Sequence, residues 1–106
     1  MIPIKSIEDL ILKHSLLEKE LSSGGVDKKL FAEKSKQYSD LNDVIEEAKK
    51  YNSYSKEKSD LEKILNDTNS DDDLKTMAEN ELRELKIQND ANEKKLKLFL
   101  LPRDEA

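Results

Sequence analysis

Asn66-Asp67-Thr68-Asn69-Ser70, followed by the acidic run Asp71-Asp72-Asp73, is a polar connection between two long stretches free of glycine and proline, and reading it as a turn makes the chain a helical hairpin. Asn, Asp and Ser side chains bond to their own backbone, so they leave helix interiors and settle in turns and caps. Ser70 or Asp71 is placed to cap the helix that follows. The acidic run after it lies where the helix macrodipole favours negative charge, by roughly 0.3–1 kcal/mol per site.

Upstream of this turn, no glycine or proline occurs from Lys28 to Asp67, which predicts one continuous helix with Asp27 as its N-cap. Leu30, Phe31, Tyr38, Leu41, Ile45 and Ala48 share one face of it. Val44, Tyr51, Tyr54, Leu61, Ile64 and Leu65 continue the stripe with a shift, which a straight helix produces by drifting about 20° per heptad. The polar stretch from Asn52 to Lys58 is the expected weak point, where a kink or frayed turn would fall.

Downstream, the third helix carries Leu74, Met77, Ala78, Leu82, Leu85, Leu96 and Phe99 inward, around a polar middle at Gln88, Asn89 and Asn92. At about 1.5 Å rise per residue the two helices make a hairpin on the order of 40–60 Å long. A shorter first helix starts near Pro3 and ends before Ser22-Ser23-Gly24-Gly25. Its stripe of Ile4, Ile7, Leu10, Ile11, His14, Leu17 and Leu21 packs on part of the hairpin, and Lys13, Glu18 and Glu20 face elsewhere. The expected fold is all-α, a three-helix bundle built on a long antiparallel hairpin. Proline lacks an amide donor and drives the residue before it out of the helical region. Leu101 should therefore end the last helix and Pro102 should open an extended segment. The division is a helical domain over residues 1–101 and the start of a linker at 102–106.

Composition excludes several function classes. Of the 106 residues only 35% are hydrophobic while 41% are charged, and tryptophan is absent, which argues against a compact enzyme with a deep pocket. The net charge of −5 gives no general attraction to nucleic acid. Seventeen of the nineteen basic residues are lysine, which suits a solvated surface better than bidentate base or phosphate recognition. Without cysteine there is neither a disulfide framework nor a thiolate metal site. No run approaches a secretory signal or a membrane span, so a cytoplasmic protein with no membrane partner is expected.

Three strings, in order and spacing, resemble the N-terminal domain of bacterial class I peptide chain release factors of the type that reads UAG and UAA. They are Ser35-Lys36-Gln37-Tyr38-Ser39-Asp40-Leu41, Met77-Ala78-Glu79-Asn80-Glu81-Leu82-Arg83-Glu84, and the exit Leu100-Leu101-Pro102-Arg103-Asp104. The resemblance spans the whole chain, and its most specific part is the exit string. It implies a translation termination protein whose complete form binds the ribosomal A site, recognises a stop codon and triggers peptidyl-tRNA hydrolysis.

The family's two functional signatures are not in this sequence. The only glycine pair, Gly24-Gly25, is followed by Val26 and is not the hydrolytic Gly-Gly-Gln. Pro3-Ile4-Lys5 and Pro102-Arg103-Asp104 are not the codon-reading Pro-x-Thr. Both would be expected in a catalytic and codon-reading body downstream, so these residues are expected to bind partners and not to be an enzyme. The resemblance implies as partners the stalk base of the large ribosomal subunit, the GTPase recycling factor and the glutamine methyltransferase.

Read on their own, the chemistry-bearing residues have structural roles. His14 lies on an apolar stripe with no second histidine or cysteine, which predicts packing and no metal ligation. Asp71-Asp72-Asp73 is contiguous and lacks the glycine of a calcium loop, which predicts capping. Tyr38, Tyr51 and Tyr54 are spaced for packing along one helix and not for stacking on single-stranded RNA. Glu46, Glu47, Glu62, Glu79, Glu81 and Glu84 lack the desolvated site a general acid or base requires. They are expected on a solvated surface, with Glu46 paired to Lys50. No catalytic, cofactor or metal residue is expected.

Apolar positions left exposed on a hairpin also predict a homodimer of the isolated domain. The competing reading from periodicity alone is a freestanding helical-hairpin adaptor or chaperone. A helical arm of an aminoacyl-tRNA synthetase would be expected to show a more basic face.

Overall fold

The computed structural model describes residues 1–101. It contains four helices, α1 (Ile4–Ser23), α2 (Lys28–Asn42), α3 (Ile45–Asn66) and α4 (Asp72–Leu100), and the described residues contain no strand. The all-α hairpin expected from the sequence is present: α3 and α4 form the most extensive pair, and α1 lies against α2 and α3. Pro102 to Ala106, the expected linker, fall outside the described residues.

Each helix end has a local cause. Pro3 precedes α1 and its carbonyl accepts from the amides of Ser6 and Ile7. Gly24, at φ 72°, closes α1 in the left-handed conformation that glycine adopts without steric cost. Asp27 caps α2 by accepting from Lys29 N at 3.2 Å, and Asp71 caps α4 by accepting from Leu74 N at 2.8 Å. Asp67 accepts from Asn69 N at 2.9 Å, which folds the connection between α3 and α4 into a side-chain-closed turn. Leu101 ends α4 in an extended conformation, as the proline after it dictates.

The expected single helix from Lys28 to Asp67 is in fact two. It breaks at Asp43-Val44, where the amides of Asp43 and Val44 bond to the carbonyls of Asp40 and Leu41 in tight i to i−3 turns. Val44 then sits at φ −126°, ψ 2° before α3 begins. No glycine or proline drives this break; burial does. With the bend, Leu41, Val44, Ile45 and Ala48 all enter the core beneath α1, while α3 turns to run along α4. The polar stretch Asn52 to Lys58, expected to kink, is continuous helix.

The core lies at one end. Ile7, Leu10 and Leu17 from α1 join Leu41, Val44, Ile45, Ala48 and Tyr51, with Leu96 from α4 fully enclosed. We call this end the root. Beyond it the α3–α4 hairpin is two helices thick, and Ala78 is the one buried residue among Tyr54 to Leu85. Leu30, Phe31 and Met77, expected to face inward, are 45%, 50% and 51% exposed. For Leu30 and Phe31 the bend leaves the start of α2 with only α1 beside it. The molecule measures 61 × 36 × 19 Å with a radius of gyration of 18.5 Å, against about 13 Å for a compact domain of this length. Among the described residues no helix is long and apolar enough to cross a membrane.

Candidate interaction site

The root is organised around His14. Its ring stacks on Tyr38 with centroids 4.8 Å apart and planes at 25°, and its Nε2 lies 2.6 Å from Asn42 Oδ1. An amide oxygen is an acceptor, so Nε2 carries the proton and donates. The expected packing of His14, with its ring satisfied, is what the structure shows. It ties α1 to the last residue of α2, one step before the break. Tyr51, buried, accepts from Ile2 N at 3.2 Å and fixes the segment before α1. Tyr54 is half-buried on the polar side of the hairpin.

The bend also creates a groove of about 330 Å³ between α1, α2 and the end of α4. Leu10, Leu41, Phe99 and Leu100 supply apolar lining, and Asp9, Lys13 and Gln37 supply polar groups. Sequence periodicity missed this groove because it depends on α2 and α3 being separate helices. The Asn42-Asp43 pair was the available signal, since both residue types favour helix ends. The groove thus has an apolar lining edged by a carboxylate, an amine and an amide.

Charged residues bracket the root. Lys95 donates to Glu47 at 2.9 Å across α4 and α3, and Lys97 pairs with Glu93 at 2.9 Å. The Met1 α-amine also reaches Glu93, at 3.3 Å. The hydrogen bond from Lys95 holds the Glu47 carboxyl below the ordinary glutamate range, against the opposing effect of partial burial. Glu93 is lowered by its hydrogen bonds from Lys97 and the α-amine, and Lys97 is raised by the same contact with Glu93. Lys34 and Glu20 pair across α2 and α1.

The other sequence-expected residues are dispersed. Glu46, Glu62, Glu79, Glu81 and Glu84 are exposed, and Glu47 is half-buried. The expected Glu46–Lys50 pair is not formed; Glu47, one residue on, faces α4 and takes Lys95 instead. Asp71 caps α4, while Asp72 and Asp73 occupy its first turn and are exposed. Among the described residues no group of three or more His, Asp or Glu side chains is arranged to hold a metal ion.

Comparison with known proteins gives this arrangement its context. The chain is 73% identical over 106 residues to peptide chain release factor 1 of Pelagibacter ubique, a match covering 100% of this chain and 30% of that protein. It is 43% identical over 102 residues to the protein of the same name in Wolbachia pipientis, covering 94% of this chain and 28% of that one. Against peptide chain release factor 1 of Agathobacter rectalis it is 38% identical over 100 residues, covering 92% and 28%. The chain thus spans about 30% of the length of these relatives. No solved structure matches it. Residues 11–106 match the PCRF domain, in agreement with the likeness carried by the three strings, and the chain belongs to the PCRF domain family.

Proposed function

We propose that residues 1–101 are the N-terminal helical arm of a cytoplasmic translation termination factor, one that recognises UAG and UAA codons on the ribosome and triggers peptidyl-tRNA hydrolysis. The observation that carries this reading is the 73% identity, over the whole chain, to a peptide chain release factor 1. Neither Gly-Gly-Gln nor Pro-x-Thr occurs in these 106 residues, so the arm contributes binding and the chemistry belongs to a body it is joined to. Its length of 61 Å, its dispersed carboxylates and its root groove suit an arm that reaches a macromolecular partner. The ribosome near its stalk base is that partner; the GTPase recycling factor and the glutamine methyltransferase are further partners of the complete factor.

The reading frame beyond Ala106 and a release assay test this together. The frame is expected to continue into a region carrying Pro-x-Thr and Gly-Gly-Gln, and the complete product to release peptide at UAG and UAA. The 106-residue chain alone is expected to release none. A frame that stops at Ala106, or stop-codon-dependent release by the short chain, removes the reading.

A further inference from the structure

Along one side of the α3–α4 hairpin two cavities meet. The first, of about 200 Å³, holds the polar layer of Lys50, Tyr54, Gln88, Asn89 and Asn92. The second, of about 290 Å³, continues toward the tip between Asp60 and Leu61 of α3 and Glu81 of α4. Glu57 and Leu85 line both, so the two form one groove. At the helical rise, the distance along α3 from Lys50 to Asp60 makes it about 15 Å long.

Its charge is one-sided. The charged lining is three carboxylates, Glu57, Asp60 and Glu81, against one amine, Lys50. None of the four has an ion pair among the described residues, although the chain holds 19 basic side chains. Beneath the carboxylates the floor is apolar, supplied by half-buried Tyr54, Leu61 and Leu85. An independent feature also calls for a donor: Asn89 Oδ1 is shut off from solvent and accepts from no donor among the described residues. An unmatched buried acceptor is costly, and a ligand donor removes that cost once the amide turns about its broad terminal torsion toward the groove.

A ligand that meets these conditions carries cations on aliphatic stems, so that the stems cover the floor while the heads reach the rim. Arginine does this, and its forked donors engage a carboxylate and an amide oxygen together. A free polyamine offers no acceptor to Lys50 or to the amide N–H groups of Gln88 and Asn92, whereas a peptide backbone has carbonyls for them. We infer that the α3–α4 groove binds an extended basic segment of a partner protein. The groove spans about five extended residues, with arginine or lysine at alternate positions so that the cations share one side of the segment. The inference does not depend on the termination-factor reading.

Fluorescence anisotropy of a rhodamine-labelled peptide, Gly-Arg-Ser-Arg-Ser-Arg-Gly, titrated with the 106-residue chain tests it. Saturable binding is expected. Glu57→Gln, Asp60→Asn and Glu81→Gln should each weaken it by about two- to fivefold. Glu79→Gln, an equal loss of charge at a residue that lines neither cavity, should leave it unchanged. Asn89→Leu should weaken binding by about tenfold without lowering the melting midpoint, which separates a lost ligand contact from a damaged fold. Spermidine at matched charge should displace the peptide poorly. Absence of saturable binding, equal weakening by Glu79→Gln and the groove variants, or an Asn89→Leu chain that binds as well as the parent overturns the inference. Ready displacement by spermidine overturns it too, and would assign the groove to small polycations.

Discussion

His14 shows how one side chain can hold a junction. It is held by a ring face and an amide oxygen, and it connects α1 to the end of α2. Replacing it with alanine removes the stack and the hydrogen bond and leaves Asn42 without its donor. His14→Ala is expected to cost about 1–3 kcal/mol, seen as a lower urea midpoint with an unchanged m-value. Its packing role was legible in the sequence from its place on the α1 stripe, and so was the capping role of Asp71. Asn42, its partner, was not legible, because only the bend brings it to the histidine. The exchange of Glu46 for Glu47 as the paired carboxylate has a similar origin: intrahelical spacing favoured Lys50, but α4 supplied a better-placed lysine.

At the scale of the elements, what governs the arm is the difference between its packed layers and its polar one. Midway along the hairpin, Lys50, Tyr54 and Glu57 of α3 face Gln88, Asn89 and Asn92 of α4, and no donor among the described residues reaches the buried Asn89 Oδ1. An unmatched buried acceptor costs about 1–3 kcal/mol. Asn89→Leu, which continues the apolar row between Leu85 and Leu96, should therefore stabilise the arm by an amount of that order, read as a higher midpoint of thermal unfolding. An unchanged or lower midpoint would mean that the polar layer is better satisfied than its geometry indicates. The sequence displayed this layer plainly in Gln88-Asn89 and Asn92. It also displayed the shift of the α2–α3 stripe, but attributing that shift to gradual helix drift concealed a break. A drift of about 20° per heptad accumulates smoothly, whereas Leu41, Val44 and Ile45 change face within one turn. The all-α hairpin follows from periodicity alone; the number of helices does not, because it is decided by what α1 covers.

At the scale of the molecule, stability is concentrated in the root, and so is its response to pH. Glu47 titrates below the ordinary glutamate value of 4.5 because Lys95 bonds to it. A carboxyl with a lowered pKa in the folded state contributes stability above its unfolded value and loses it as pH falls through the folded one. The contribution of the Glu47–Lys95 pair is thus present at neutral pH and lost below 4.5. Lys95→Met should lower the melting temperature slightly at pH 7, in keeping with about 0.2–1 kcal/mol for a pair largely in solvent. At a pH acid enough to protonate Glu47 in the folded state, below its lowered value, the variant and the parent chain should melt together. Melting curves at the two pH values check this, and a difference that persists in acid would assign the effect to packing of the lysine stem.

The contact between Met1 and Glu93 has a topological consequence. The chain begins at the root, travels out along α3, returns along α4 and arrives again within one ion pair of its start. Met1, Pro3, Leu100 and Leu101 line a single cleft there. The first and last described residues, so close together, make the described arm a cassette. It could be spliced into a surface loop of an unrelated scaffold, or reopened at the Asn66–Asp71 turn and rejoined at the root, without any helix having to change its neighbours.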